Sequence, residues 1–339
     1  MRARLPDPAR IPEAPAGTSL DALLESATPI VISGLASDWP AAVASRRGPL
    51  DAIAYLRNFV NDAMPVTATI APPEASGRIF YDASMLGFNF RRERVPAGAA
   101  LATLARELDN ANAPMIYLGA TTLDTGFPGF SGDNRIDFGD HTPLASIWIG
   151  NRTRVPAHHD LPDNLACVVA GRRRFTLFPP EQIENLYIGP LDITPAGQPV
   201  SLVDFAAPDL KRFPRFVDAW GHAQVAELGP GDAVLIPSLW WHAIDALDGF
   251  NVLVNYWWRR APDWMDAPLT ALMAGLLAIR QLPAHERAHW KRMFDYYVFD
   301  ADDTTCAHIP ETARGVLAPF DETGAANLRR VLRQRLDRR

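Results

Sequence analysis

The sequence has few cysteines and no long apolar run, and each shortage narrows the possible functions. The two cysteines, Cys167 and Cys306, cannot build a disulfide framework and do not form a CxxC pair, so we expect a reduced, cytoplasmic setting. The longest apolar stretch, near residues 269–279, is too short and too interrupted to span a bilayer. The amino-terminal residues are too rich in proline and charge for a signal peptide, and we expect no membrane partner.

Lysine is scarce as well, because Lys211 and Lys291 are the only two and nearly all positive charge comes from arginine. The 33 basic and 39 acidic side chains give a formal net charge of −6, and no dense basic block stands out. Proteins that bind nucleic acid usually carry such a block, so we expect no nucleic-acid partner. With 48% hydrophobic residues over 339 positions, the composition predicts a globular protein with one large domain or two modest ones.

The pattern of apolar residues divides the chain into three regions, of which the first and last contain helices. Residues 1–114 mix both patterns, with a buried strand predicted at residues 29–35 and helical spacing at residues 101–108. We predict that this region is an α/β segment that packs on a barrel. Residues 261–339 are predicted to be a helical region, with helices at 267–280, 285–299 and 325–339. This region is also a candidate dimer interface.

The central region, residues 115–260, is predicted to be rich in β-structure. Short apolar runs follow one another, and glycine and proline turns separate them, notably at residues 229–232. The runs cover residues 115–118, 147–149, 165–169, 174–178, 233–237 and 251–258. Many short strands with such turns favour a sandwich or barrel over an alternating βαβ fold.

A His-x-Asp motif, His158 and Asp160, lies in the central region. On a strand, residues two positions apart point to the same face, so both side chains can converge on one point while His159 points away. A third candidate ligand, His242, closes the segment 231–242, which we predict to be a tight turn followed by one apolar strand.

Two imidazoles and one carboxylate form the facial triad that suits non-haem Fe(II) and leaves three coordination positions open. A proline-rich insertion at residues 185–222 accounts for the long separation between Asp160 and His242. The alternative is a structural role, in which His158 caps a turn, Asp160 is solvated and His242 is a satisfied core residue.

At these residues the sequence resembles the JmjC-type cupin family of Fe(II)/2-oxoglutarate-dependent oxygenases, especially its asparaginyl hydroxylases and bacterial cupin-like members. The resemblance, over about residues 28–260, rests on the segments IVISGLASDWPA, PAHHDLPDN, AGRRRFTLFPPEQIENLY, PGDAVLIPSLWWHAIDAL and VNYWW. It implies a mainly β fold, a double-stranded β-helix of the jelly-roll type with flanking helices. It also implies Fe(II) as cofactor, 2-oxoglutarate as co-substrate, O2 as a further substrate, and a homodimer formed through the C-terminal helices.

The same resemblance assigns roles to residues beside the three candidate ligands. Tyr117 matches a tyrosine that helps hold the distal carboxylate of 2-oxoglutarate. Asn164 and Asn255 match asparagines close to the iron and co-substrate, and Trp257 matches an aromatic wall of the pocket. Core packing is the alternative for the two aromatic residues.

The sequence departs from the family pattern at two positions. The family usually has a lysine on the strand after His-x-Asp, and Arg173 stands there instead. A guanidinium can bind a carboxylate through two hydrogen bonds, so we expect Arg173 to hold 2-oxoglutarate, although it could also face solvent as we expect of Arg172 and Arg174. Val155 replaces a common threonine, and Thr153 is a candidate to supply the missing hydroxyl.

These features predict an Fe(II)/2-oxoglutarate-dependent dioxygenase that hydroxylates a C–H bond of a protein side chain or an amino-acid-like small molecule. The alternative is a non-catalytic cupin that binds a metal or small ligand as a sensor. The two departures favour this alternative slightly, whereas the intact triad opposes it. A metal-dependent isomerase is a third class, but isomerase cupins usually carry more metal-binding histidines or glutamates. Trp148, Trp220 and Trp258 are expected to be core residues rather than walls of a substrate cleft.

Overall fold

Thirteen β-strands run through the described part of the chain, which is residues 5–319 and 321–337 of a computed structural model. The strands are β1 (Ala9–Arg10), β2 (Ile30–Ile32), β3 (Val66–Ala71), β4 (Arg91–Val95), β5 (Met115–Thr122), β6 (Leu144–Gly150), β7 (Arg154–His158), β8 (Asp163–Ala170), β9 (Arg173–Phe178), β10 (Gln224–Leu228), β11 (Ala233–Ile236), β12 (Trp241–Ala246) and β13 (Asn251–Trp258).

Helices precede, interrupt and follow these strands. The α-helices are α1 (Leu20–Leu24), α2 (Pro40–Arg47), α3 (Pro49–Arg57), α4 (Ala97–Arg106), α5 (Leu123–Gly126), α6 (Phe130–Asp133), α7 (Phe216–Gly221), α8 (Pro268–Ala278), α9 (Ala284–Phe294) and α10 (Glu322–Leu336). A π-helical turn follows α9, and the 3-10 turns are Pro73–Ala75, Pro180–Glu184, Glu311–Ala313 and Gly315–Leu317. No helix among the described residues is long and apolar enough to cross a membrane.

The strands form two sheets. Their orders are β1-β10-β9-β12-β7 in the smaller sheet and β2-β11-β8-β13-β6-β5-β3-β4 in the larger sheet. All neighbouring strands are antiparallel except β1 and β10. From β7 to β9 and again from β11 to β13, the chain alternates between the sheets, as in a jelly roll. The prediction of a mainly β, double-stranded β-helix with flanking helices is therefore confirmed.

Apolar side chains fill the space between the sheets because the central strands are buried on both faces. Phe175 and Leu177 of the smaller sheet pack against Val168, Val234 and Leu253 of the larger sheet. A second apolar cluster covers the other face of the larger sheet with α2, α3 and α4. Burial of each such large side chain contributes about 1.5–3 kcal/mol, so these two layers fix the strands that carry the site.

Two details of the predicted strands are wrong. The segment 231–242 is not one strand that ends in a histidine, because β11 ends at Ile236 and His242 is the second residue of β12. Leu239 lies in the left-handed region with φ 66° in the turn between them, and the two strands belong to different sheets. The strand that carries the His-x-Asp motif ends at His158, so Asp160 lies in the following turn.

The chain separates into two compact units, residues 1–258 and 259–339. The first unit contains all the strands described above, and β3, β4 and β5 join the larger sheet directly. The second contains α8, α9 and α10, in which no residue is buried. The three-region division of the sequence, and the role of the last region in dimerisation, stay predictions.

Candidate metal centre

His158 and His242 are cross-strand partners on β7 and β12. Both rings are buried, and their centroids are 4.3 Å apart. Nδ1 of His158 lies 2.9 Å from the carbonyl oxygen of Pro156, and Nδ1 of His242 lies 3.0 Å from that of Trp240. A carbonyl oxygen only accepts hydrogen bonds, so each Nδ1 carries a proton and each Nε2 keeps its lone pair for a metal ion.

Asp160 lies in a turn that is fastened to the turn before β12. The backbone N–H of Leu239 donates a 3.0 Å hydrogen bond to the carbonyl of Asp160. Ser238 donates from its N–H to the Asp163 carboxylate at 3.0 Å and from its hydroxyl to the Leu161 carbonyl at 2.6 Å. These bonds hold the backbone of Asp160 in a fixed relation to the start of β12.

The side chains of His158, Asp160 and His242 form a group whose candidate ligand atoms all lie within 4.8 Å of one another. Oδ2 of Asp160 is 3.6 Å from Nε2 of His242. Burial, and then the neighbouring His158, lower the pKa of His242 to about 4, so this imidazole is neutral at pH 7 and can act as a ligand. The donor set and the hydrogen-bonded Nδ1 atoms fit an Fe(II) ion of the two-histidine, one-carboxylate type.

His159 does not belong to this group. Its ring packs edge-on against Trp241 with the centroids 4.7 Å apart. Burial, reinforced by the neighbouring His158, lowers the pKa of His159. The side chain therefore packs apart from the candidate ligands, as predicted, although His159 follows the last residue of β7 and the contact with Trp241 sets its position.

A cavity of about 390 Å³ opens beside the candidate ligands. All the site residues predicted from the sequence line it. Besides the three candidate ligands, these are Tyr117, Asn164, Arg173, Asn255 and Trp257. They come from strands of both sheets, so the barrel brings together residues that are far apart in the chain. Their roles in binding a metal or a co-substrate stay predictions.

Arg173 is buried inside the barrel, with 3% of its surface exposed. It shares a strand face with Phe175 and Leu177, which pack between the sheets. Its Nε has no hydrogen-bond partner among the described residues, and burial lowers its pKa to about 10, partly opposed by the nearby Tyr117. Burying a cation without a counter-ion is costly, so this part of the cavity fits an anionic ligand.

The two neighbours of Arg173 face the opposite way. The guanidinium of exposed Arg172 lies 3.0 Å from the carboxylate of Asp248, and that of exposed Arg174 donates to Glu227 at 2.9 Å. The charges of Arg172 and Arg174 are therefore paired with carboxylates on the surface, whereas the side chain of Arg173 points into the barrel.

A hydrogen-bonded row lines one wall of the cavity. Nε1 of Trp148 donates to Oδ1 of Asn255 at 2.6 Å, and Nδ2 of Asn255 lies 3.4 Å from Oδ1 of Asn164. The Trp148 ring stacks on Tyr117 at 5.9 Å and meets Trp257 edge-on at 5.8 Å. Burial raises the pKa of the Tyr117 hydroxyl, so this group is protonated and can donate a hydrogen bond.

The sequence did not identify several other lining residues. Trp148 lines the cavity, which corrects the expectation that it is only a core residue, while Trp258 packs on Phe138. Thr153 does not line the cavity, and its hydroxyl donates to the Asn151 carbonyl at 3.3 Å, so it does not supply the missing hydroxyl there. Further lining residues from the first region and from the insertion are Thr67, Thr69, Arg92, Pro195, Ala196, Gly197 and Gln198. The alternating threonines of β3 are the sequence signal that could have revealed Thr67 and Thr69.

The fold and the site together define a JmjC-like cupin with a candidate two-histidine, one-carboxylate metal centre. The family described as the cupin-like domain matches residues 15–264, most of the chain. The chain therefore belongs to the cupin-like domain family.

Several curated proteins are similar to part of this chain. Human HSPB1-associated protein 1 is 33% identical over 171 residues, which cover 49% of this chain and 32% of that protein. Lysine-specific demethylase JMJ31 of Arabidopsis thaliana is 36% identical over 138 residues, 38% of this chain and 25% of the relative. The tRNA wybutosine-synthesizing protein 5 of Danio rerio is 38% identical over 105 residues, 31% of this chain and 29% of the relative. The chain thus spans about a third or less of the length of each.

Proposed function

We propose that this protein is an Fe(II)- and 2-oxoglutarate-dependent oxygenase that hydroxylates a C–H bond of a protein side chain or an amino-acid-like small molecule. The observation that carries the proposal is the buried, uncompensated guanidinium of Arg173 in the same cavity as the three candidate iron ligands. A dicarboxylate could bind both, with one end at the metal and the other at Arg173. The similarity to a lysine-specific demethylase supports an oxidative function in this family.

Each wall of the cavity has a part in this proposal. His158, Asp160 and His242 would hold the iron, which supplies the redox chemistry with O2 when it is bound. Arg173 binds the distal carboxylate of 2-oxoglutarate, and Tyr117 donates a second hydrogen bond to it. Around them, Trp148, Trp257 and the two asparagines exclude water and orient the co-substrate.

The overall reaction balances without an added reductant. 2-Oxoglutarate, O2 and the substrate C–H bond give succinate, CO2 and the corresponding alcohol. One oxygen atom of O2 enters succinate and the other enters the alcohol. Oxidative decarboxylation supplies two electrons, and the C–H bond supplies the other two.

Isotope labelling tests the proposal directly. The full-length protein is incubated with Fe(II), 2-oxoglutarate and labelled O2, and succinate is analysed by mass spectrometry. We expect succinate with one labelled oxygen from wild type and none above background from His158→Ala. Slow succinate formation without a prime substrate is sufficient for this measurement, so the substrate need not be known.

A non-catalytic binding cupin is the second candidate, because Arg173 replaces the usual lysine and Val155 replaces the usual threonine. That function predicts binding of 2-oxoglutarate or another small acid with no labelled succinate. Binding without turnover would therefore favour a sensor and contradict the oxygenase.

A further inference from the structure

We infer that the substrate of the proposed oxygenase carries an anionic group, a carboxylate or a phosphate, that binds Arg92 at the mouth of the cavity; this inference rests on that proposed function. Arg92 lies on β4, the last strand of the larger sheet, and lines the cavity that holds the candidate metal ligands. Its side chain is exposed, so it is accessible from solvent at the same time.

The two faces of β4 differ in their charge balance. On the outer face, Nε of Arg91 lies 2.6 Å from the carboxylate of Glu93, so this pair is neutral overall. Arg92 lies between Arg91 and Glu93, so its side chain points to the opposite face of β4, toward the cavity. No carboxylate of the described residues forms an ion pair with it there. Of the described residues that line the cavity, Asp160 alone is acidic, and it is a candidate metal ligand. The cavity mouth therefore has a positive charge that the chain leaves uncompensated.

Neutral groups hold the guanidinium of Arg92 in place. Its Nη2 donates a 3.0 Å hydrogen bond to the carbonyl of Pro195, in the inserted segment that also lines the cavity. The guanidinium carbon lies 5.3 Å from the ring centroid of Phe90 and 5.8 Å from that of Phe88, and the two rings are stacked 5.0 Å apart. These contacts order the side chain without neutralising it, which lowers the entropy cost of binding an anion.

Strand register connects Arg92 to the interior of the site. Arg92 pairs with Thr69 on β3, and Thr69 pairs with Tyr117 on β5, so the three side chains form one row across the sheet. Each of them can donate a hydrogen bond. Two strand spacings of about 4.8 Å separate the backbone of Arg92 from that of Tyr117 by about 10 Å. Arg92 is on β4 of the larger sheet and Arg173 is on β9 of the smaller sheet, so the anion at Arg92 is a second one beside the carboxylate proposed at Arg173. Its carrier extends from the mouth toward the metal.

A second arginine extends the positive surface along the same strand. Arg94 is two residues on, pairs with Thr67 and lines a smaller adjoining pocket that has no acidic residue among its described lining. Thr67 lines both pockets, so the two arginines face one continuous surface. A substrate with more than one negative charge fits this surface best, since Arg92 and Arg94 share one face of β4.

Matched ligand pairs test this inference without turnover. The probes are five-residue capped glycine peptides with a central aspartate or asparagine, and with a central phosphoserine or serine. Binding to the full-length protein is measured by ligand-observed NMR without oxygen and with excess 2-oxoglutarate. We expect at least one anionic peptide to bind about tenfold more tightly than its neutral partner. Arg92→Gln should remove that preference, and the control Arg91→Gln, on the outer face, should keep it.

The aspartate and phosphoserine pairs identify the anion, and a preference in either pair supports the inference. Equal binding within both pairs, no binding by any peptide, or an equal loss in both variants overturns it. The labelled-succinate measurement is independent of these titrations. Labelled succinate with no anionic preference would support the oxygenase and contradict Arg92 as the anion site. An anionic preference that depends on Arg92, with no labelled succinate, would contradict the oxygenase and support the anion site.

Discussion

His158 and His242 lie opposite each other on neighbouring strands, and each ring donates from Nδ1 to the carbonyl oxygen of the residue two positions before it. The same local bond thus fixes both rings in the same tautomer and presents both Nε2 lone pairs to one side. Because the backbone sets this orientation, the two histidines are preorganised before a metal ion binds.

The first prediction is that the metal site depends on three residues as a unit. His158→Ala, Asp160→Ala and His242→Ala should each remove iron binding, because two remaining ligands hold Fe(II) weakly. His159→Ala should keep iron, since its ring packs on Trp241. Metal analysis of the four purified variants checks this, and circular dichroism verifies that each is folded. Loss of iron from His159→Ala with retention in His158→Ala would contradict the ligand assignment.

The second prediction concerns the co-substrate. Removal of one partner from a buried charge pair costs about 2–5 kcal/mol, so Arg173→Ala should weaken 2-oxoglutarate binding by about 30-fold or more. Iron content should not change, and Arg173→Lys should retain measurable turnover. Anaerobic titration of 2-oxoglutarate, followed by metal-to-ligand absorption, measures the affinity. The exposed Arg172→Ala is the matched control, and an equal effect in that variant would place the carboxylate elsewhere.

The third prediction is a pH dependence of the metal-free protein. Burial lowers the pKa of His242 to about 4, below the ordinary value of about 6.5 that the unfolded chain provides. Between these values the unfolded state binds a proton that the folded state does not, so the free energy of unfolding should fall as pH drops from about 6.5 to about 4. Urea unfolding across this range measures the slope. His242→Asn should have a shallower slope, and an unchanged slope would show that His242 does not titrate in this way.

The fourth prediction concerns the wall of the cavity. Asn255→Ala removes the acceptor for the Trp148 indole and should lower the free energy of unfolding by about 1–3 kcal/mol. Trp148→Phe removes the donor, so the two changes together should cost less than the sum of the single changes. Chemical denaturation of both single variants and the double variant gives this coupling. Additive effects would mean that the bond contributes no stability.

The fifth prediction is a homodimer formed through the C-terminal helices. On α8, Leu269, Leu272, Met273 and Leu277 are exposed, and obligate interfaces are typically apolar. Light scattering at micromolar concentration should give a dimer for the full chain. A chain truncated after residue 260, or Leu272→Glu, should be monomeric or insoluble. Val43→Glu, a change at an exposed apolar residue of α2, is the control, and a monomeric full-length chain would contradict the prediction.

The fold class and the candidate ligands could be inferred from the sequence, because local patterns of residues indicate both. Short apolar runs between turns predict strands wherever they occur, and His-x-Asp places two ligand types in three residues. The resemblance to a known family added Tyr117, Asn164, Asn255 and Trp257, and all four line the cavity. None of these inferences requires knowledge of which strands are neighbours.

The direction in which each side chain points depends on how the strands pair in the folded protein. Local patterns joined His242 to the wrong strand, because the chain crosses from one sheet to the other at residues 237–240. Burial of Arg173 depends on which face of β9 meets the second sheet, and the row from Arg92 to Tyr117 depends on strand register. Pairing between strands far apart in the chain fixes both properties, and a single sequence does not specify that pairing locally.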